Sequence, residues 1–128
     1  MIYEEPGQMI DRELTPDAID DILAHGPIRD LRVLPIALSM DPPDNVDVER
    51  ICLDLALHAD AWVRGNACTA FGHLARVLGK LDRQARIQHI LEVSLRDEER
   101  IVSGRAADAI SDIKTFLGWR FENEWPNP

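Results

Sequence analysis

Shifted by 39 residues, the chain overlays on itself. Val63 falls on Val102, Gly65 on Gly104, Ala67 on Ala106, Ala70 on Ala109, Phe71 on Ile110, Leu74 on Ile113, Leu78 on Leu117 and Gly79 on Gly118. The segments upstream keep the same offset, Val48 with Ile87, Ile51 with Ile90 and Cys52 with Leu91. Within each copy the apolar positions recur every three or four residues, the spacing of one helix face. The repeated unit is therefore a pair of helices. Such a unit cannot bury its apolar face alone and has to stack on a copy of itself.

The rest of the chain fits that plan. Thr15-Pro16-Asp17 predicts a helix start, with a hydroxyl cap, proline in the first turn and an acid at the positive end of the dipole. Gly26-Pro27 stops it, and Ala18, Ile19, Ile22 and Leu23 share a face. A second apolar segment, Asp30 to Met40, contains Pro35, which either kinks a helix or makes it begin late. Asp41-Pro42-Pro43-Asp44-Asn45 is a loop by composition. Val48, Ile51, Cys52, Leu55 and Ala56 predict a third helix within 46–58. Asp60 caps a fourth, which runs to Leu78 and is ended by Gly79. Leu81-Asp82 opens a fifth with Ile87, Ile90, Leu91 and Leu95 inward, and Asp97-Glu98-Glu99 opens a sixth that ends at Leu117-Gly118. No segment sustains strand alternation, and short connections make successive helices antiparallel. The expected organisation is one all-α domain over 1–128: an irregular first repeat at 15–40, repeats at 46–79 and 82–118, and an aromatic cap at 119–128 holding two of the three tryptophans. The first repeat is shortened, because aligning Ile19, Ile22 and Leu23 with Val48, Ile51 and Cys52 takes an offset of 29.

Asp60-x-x-Val63-Arg64-x-x-Ala67, followed by Ala70-Phe71-Gly72, closely resembles the second helix of a HEAT repeat, and the likeness covers residues 46–118. The resemblance implies a right-handed alpha-alpha superhelix of about three helix pairs, with Val and Ala filling the inter-helix core and the Asp and Arg making polar ties between adjacent repeats. The second copy departs from the pattern, carrying Glu99 and Ser103 where those two residues would stand.

The stretch DAWVRGNACTAFGHLARVLG, residues 60–79, holds an aspartate, a cysteine, a histidine and three glycines. Catalysis is not expected from them. Cys68 and His73 lie about 140° apart around a helix at roughly 100° per residue. GNACTAFG lacks the Lys-Ser/Thr ending of a phosphate loop and follows no strand. Small residues here read as a means of close helix approach. His58-Ala59-Asp60 offers two metal ligands without a third, and the acids of 41–47 lack the order of a calcium loop. No cofactor and no metal are expected. Cys52 and Cys68 sit in apolar helical patterns, as small hydrophobes of a reducing, cytoplasmic compartment do.

Charge divides unevenly along the chain. Residues 1–60 carry four Arg against fourteen Asp or Glu, whereas 61–118 carry nine bases and seven acids. That balance opposes nucleic-acid binding, which needs a basic stripe, and favours a cationic partner. The N-terminal MIYEEPGQMIDREL lacks the basic start and apolar block of an export signal, and no apolar run is long enough to span a membrane. Solenoids work by presenting a row of second helices. Their outward stripes are expected to be Trp62, Asn66, Thr69 and His73 beside Ile101, Arg105, Asp108 and Asp112, with Asp41, Asp44 and Asp47 as an acidic alternative. A small acidic helical-repeat protein with these features is similar to bacterial immunity proteins. The likeness implies a monomer, not an enzyme, that binds and neutralises a basic toxin domain; a general scaffold subunit or, more remotely, a helical-repeat lyase are the alternatives.

Overall fold

In the computed structural model, which describes residues 10–121, the chain forms α1 (Pro16–His25), α2 (Ile28–Met40), α3 (Val48–Leu55), α4 (Ala61–Leu78), α5 (Gln84–Ser94) and α6 (Arg100–Leu117), with no strand among the described residues. The local signals act where the sequence places them. Thr15 Oγ1 accepts the Ala18 N–H, Asp60 Oδ1 accepts the Val63 N–H, and Gly79 and Gly118 both end their helices in the left-handed conformation at φ 68° and 71°. Two helices are shorter than their apolar patterns: α3 begins at Val48, after Asp47 caps Arg50, and α5 begins at Gln84. No described helix is long and apolar enough to cross a membrane.

Helices α2, α4 and α6 pack side by side, with α4 in the middle, while α3 and α5 lie against the seams of that row. The row runs parallel. Arg32 and Ser39 on α2 meet Asn66 and His73 on α4, an advance of seven residues on both sides. Residues related by the 39-residue offset share environments. Val63 and Val102 are both sealed from solvent, as are Ala67 and Ala106, Ala70 and Ala109, Leu74 and Ile113, and Cys52 and Leu91. At the ends Ile10, Leu14, Trp119 and Phe121 pack on the same core. Trp125, the rest of the expected aromatic cap, lies outside the described residues.

Glycine at the α4–α6 contact is a matter of space. A Cβ on Gly72 would stand 3.0 Å from Asp112 Oδ2 and 3.4 Å from the Ala109 Cα, and one on Gly65 would stand 3.3 Å from the Ile101 carbonyl oxygen. Gly104, the counterpart of Gly65, faces open space. The same sequence position thus has different duties in the middle and at the edge of the row.

Arginine–carboxylate forks tie the N-terminal ends of the row together. Arg32 reaches forward to Asp60 with Nε–Oδ1 3.1 Å and Nη2–Oδ2 2.7 Å. Arg64 reaches forward to Asp97 at 3.0 and 3.1 Å, and its Nη1 also donates to the His58 and Ala59 carbonyls. The acid that serves the second link is therefore Asp97, two residues before the expected Glu99. Asp is short enough to accept the Glu99 N–H at 2.9 Å and Arg64 together, while Glu99 makes no side-chain cap. With Ser103 in place of an arginine, α6 carries no equivalent of Arg64.

Replacing Gly72 by Val is expected to cost about 1–3 kcal/mol through overpacking against α6. Gly104→Ala is expected to add about 0.5–1 kcal/mol, because nothing lies near the new methyl and glycine weakens a helix interior. Urea unfolding of the two variants measures both signs.

Candidate functional site

A binding surface is expected on the face of α4 and α6 away from α3 and α5. Trp62 and Arg105 come together there, with the guanidinium 5.7 Å from the indole centroid. The same side chain approaches Thr69 Oγ1 at 3.5 Å. The Arg105 Cδ would lie in ordinary contact, at 3.5 Å, with a Cβ built on Gly65, so the stem of this arginine runs along that glycine. Asp108 is exposed at the edge, and Asp112 lies half-buried beside Gly72. A flat aromatic ring carrying a planar cation is a rigid combination rich in contact area, of the kind that anchors protein interfaces.

Asn66 does not belong to that face. It is 1% exposed, and its Nδ2 donates to the Arg32 carbonyl of α2 at 2.7 Å. Helix α2 continues through Pro35, neither ending nor beginning at it. The absent proline N–H leaves the Leu31 carbonyl without its helical donor. Asn66 enters from α4 and adds a side-chain donor to the neighbouring carbonyl, that of Arg32. The outward stripe expected on α4 is thus corrected at this position: turning the helix by the small rotation that seats Asn66 against α2 leaves Trp62, Thr69 and His73 half-buried on the outer face.

His73 joins the three helices of the row. Its Nδ1 is 3.1 Å from Ser39 Oγ on α2, and Asp112 on α6 is near enough to favour its cationic form. Ser39 Oγ donates to the Ile36 carbonyl at 3.1 Å, so the imidazole Nδ1 carries the hydrogen and donates to the hydroxyl. Serine, histidine and aspartate on neighbouring helices invite comparison with a hydrolytic triad. Ser39 is sealed from solvent and its proton is engaged, so it presents no accessible nucleophile. Burial, then the charges of Arg76 and Arg105, hold the imidazole pKa below its ordinary value against the pull of Asp112.

The cysteines are equally remote from chemistry. Burial pushes the Cys68 thiol up to about 11 and the Cys52 thiol higher still, the reverse of what a nucleophile requires. Cys68 is hydrogen-bonded with Ser94 on α5, on the opposite side of α4 from His73. Among the described residues no group of three or more His, Cys, Asp or Glu is placed to hold a metal.

The acidic set divides. Asp41 and Asp44 line an open cleft of about 540 Å³ with Glu13, over a floor of Leu14, Ala37, Pro42 and Pro43. Asp47 is elsewhere in function. It caps α3, and Arg83 binds it through Nη1–Oδ1 at 2.9 Å, holding its carboxyl below the usual range. Glu49 beside it accepts the Asp82 and Arg83 N–H groups at 2.8 and 3.1 Å, stitching α3 to the start of α5. Sequence reasoning missed Glu13 as a member of the cleft, and Ser39, Glu49 and Asp97 as partners. Only for Asp97 was a signal present, because aspartate caps more readily than the glutamates after it. No protein-family model, curated protein or solved structure matches the chain.

Asn66→Ala is expected to cost about 1–2 kcal/mol by removing the buried side-chain bond to the Arg32 carbonyl. Urea unfolding reads the loss, and Asn66→Asp, which has no donor to give that carbonyl, should recover none of it. For His73, whose folded pKa lies below its unfolded one, stability is complete above the unfolded value of about 6.5 and falls as pH drops through it. Thermal melts from pH 8 to 5 should show that loss, reduced in His73→Gln.

Proposed function

We propose that the chain is a non-catalytic protein-binding solenoid of HEAT-like hairpins, and in its specific form an immunity protein that binds and neutralises a cationic bacterial toxin domain. The observation that carries this reading is where the surplus negative charge is left once ion pairs are formed. Asp47 and Glu49 are taken by Arg83, Asp60 by Arg32 and Asp97 by Arg64. Between residues 11 and 44 stand eight acids against three arginines. Of these acids, Asp11, Glu13, Asp17, Asp20, Asp30, Asp41 and Asp44 make no ion pair with another described residue.

Field lines from such an end steer a basic partner and raise its association rate at low salt. The cleft of Glu13, Asp41 and Asp44 over apolar Leu14 and Pro42 suits a lysine or arginine, whose stem and head need both kinds of surface. The Trp62–Arg105 stack on the other face supports a second reading, a scaffold subunit that holds neutral partners with weak salt dependence.

Capture of partners on the tagged protein from its native cell, followed by salt titration of the tightest one, separates the two. A single basic toxin domain bound at nanomolar strength, weakening as salt rises, is the expected result; several neutral partners indifferent to salt would overturn the immunity reading. Asp41→Lys with Asp44→Lys is expected to slow association by about tenfold or more at low salt, with a much smaller effect from Trp62→Ala.

A further inference from the structure

The acidic end and the α4–α6 face leave a third surface unexplained, the groove between α3 and α5. It has a volume of about 510 Å³, and Leu53, Leu57, Ala85, Ile90 and Val93 supply its apolar lining. Leu57 is 72% exposed and Val93 46%, more than a soluble surface usually leaves bare at adjoining positions. One edge, on α3, carries Asp54; the other, on α5, carries Arg86.

These two charges stand at one level. The Glu49 carboxylate holds the Arg83 N–H, which aligns the starts of the two helices. Asp54 is five residues further along α3 and Arg86 three further along α5. At 1.5 Å per residue the charges differ in height by only about 3 Å. Neither is held firmly within the chain. Asp54 has an exposed contact with Arg50 at 3.5 Å, of the sort worth little, and Arg86 makes no ion pair with another described residue.

We infer that this groove is the interface of a two-fold symmetric homodimer. A surface with an acid on one edge and a base at the same height on the other is complementary to itself. A two-fold axis along the helices lays α3 of one copy on α5 of the second, so that each Asp54 meets the Arg86 of the other copy and each Leu57 covers the other groove. Such an isologous contact closes on itself and uses every pair twice. The chain's formal charge of −9 opposes it little here, because residues 11–44 carry eight of the acids against three arginines while Glu49 on this side is bound to Arg83. A strongly cationic or anionic partner would find no matching charge on this face.

Sedimentation equilibrium over a wide concentration range tests the interface. The mass of the full chain should climb from one copy toward two as concentration rises. Leu57→Asp, at a site 72% exposed in the single chain, should raise the midpoint by at least about tenfold, with unchanged thermal stability at concentrations where both proteins are monomeric. Asp54→Arg and Arg86→Asp, each favourable to its own helix dipole, should each weaken the dimer, and the double charge swap should restore it. A chain that stays monomeric at every concentration overturns the proposal, as does a dimer indifferent to Leu57→Asp or a double swap no better than the single ones. Toxin capture and salt dependence at the acidic end are independent of these outcomes.

Discussion

Everything in this protein is arranged around how closely α4 approaches its two neighbours. On the α6 side the approach depends on Gly65 and Gly72, where no Cβ fits without displacing a carbonyl or a carboxylate. On the α2 side it is marked by a buried amide that donates to the Arg32 carbonyl. The outer face inherits its geometry from both contacts. Arg105 lies over Trp62 with its stem along Gly65, and His73 reaches Ser39 across the α2 seam. Dispersion between close-packed atoms is small for each pair and large for a whole helix, so a helix walled in on most sides is the natural centre of stability.

The self-overlay at 39 residues made most of the helical plan legible, since burial follows the same side-chain periodicity that the overlay detects. Val63 and Val102 could be matched from sequence because both are apolar at the same phase. The lateral ties were harder to read. Arg64 and Asp97 are 33 residues apart, and among three consecutive acids only the capping preference of aspartate hints at which one the arginine reaches. Asn66 misled for a related reason: a polar residue at a helical phase adjoining the core ordinarily faces water. Its burial goes with a partner on a different helix, the Arg32 carbonyl 34 positions upstream. The division of Asp41 and Asp44 from Asp47 likewise depended on Arg83, which belongs to the next hairpin.

Polar atoms in the interior are used sparingly and mostly between hairpins. Glu49, Ser39 and Asn66 are each buried; Ser39 and Asn66 hold partners on another helix, and Glu49 holds the turn that leads into α5. Within a hairpin the contacts are chiefly aliphatic. This division suits a protein built from similar pieces, because apolar packing tolerates substitution and misalignment far more readily than a directed hydrogen bond.

The bond from Asn66 to the Arg32 carbonyl acts as an address. An aliphatic flank can fit several others, but an amide that meets a carbonyl at one height fits a single neighbour. In α6 the position 39 residues after Asn66 is Arg105, which points to the outer face. One directed bond thus marks which flank belongs beside which along the row.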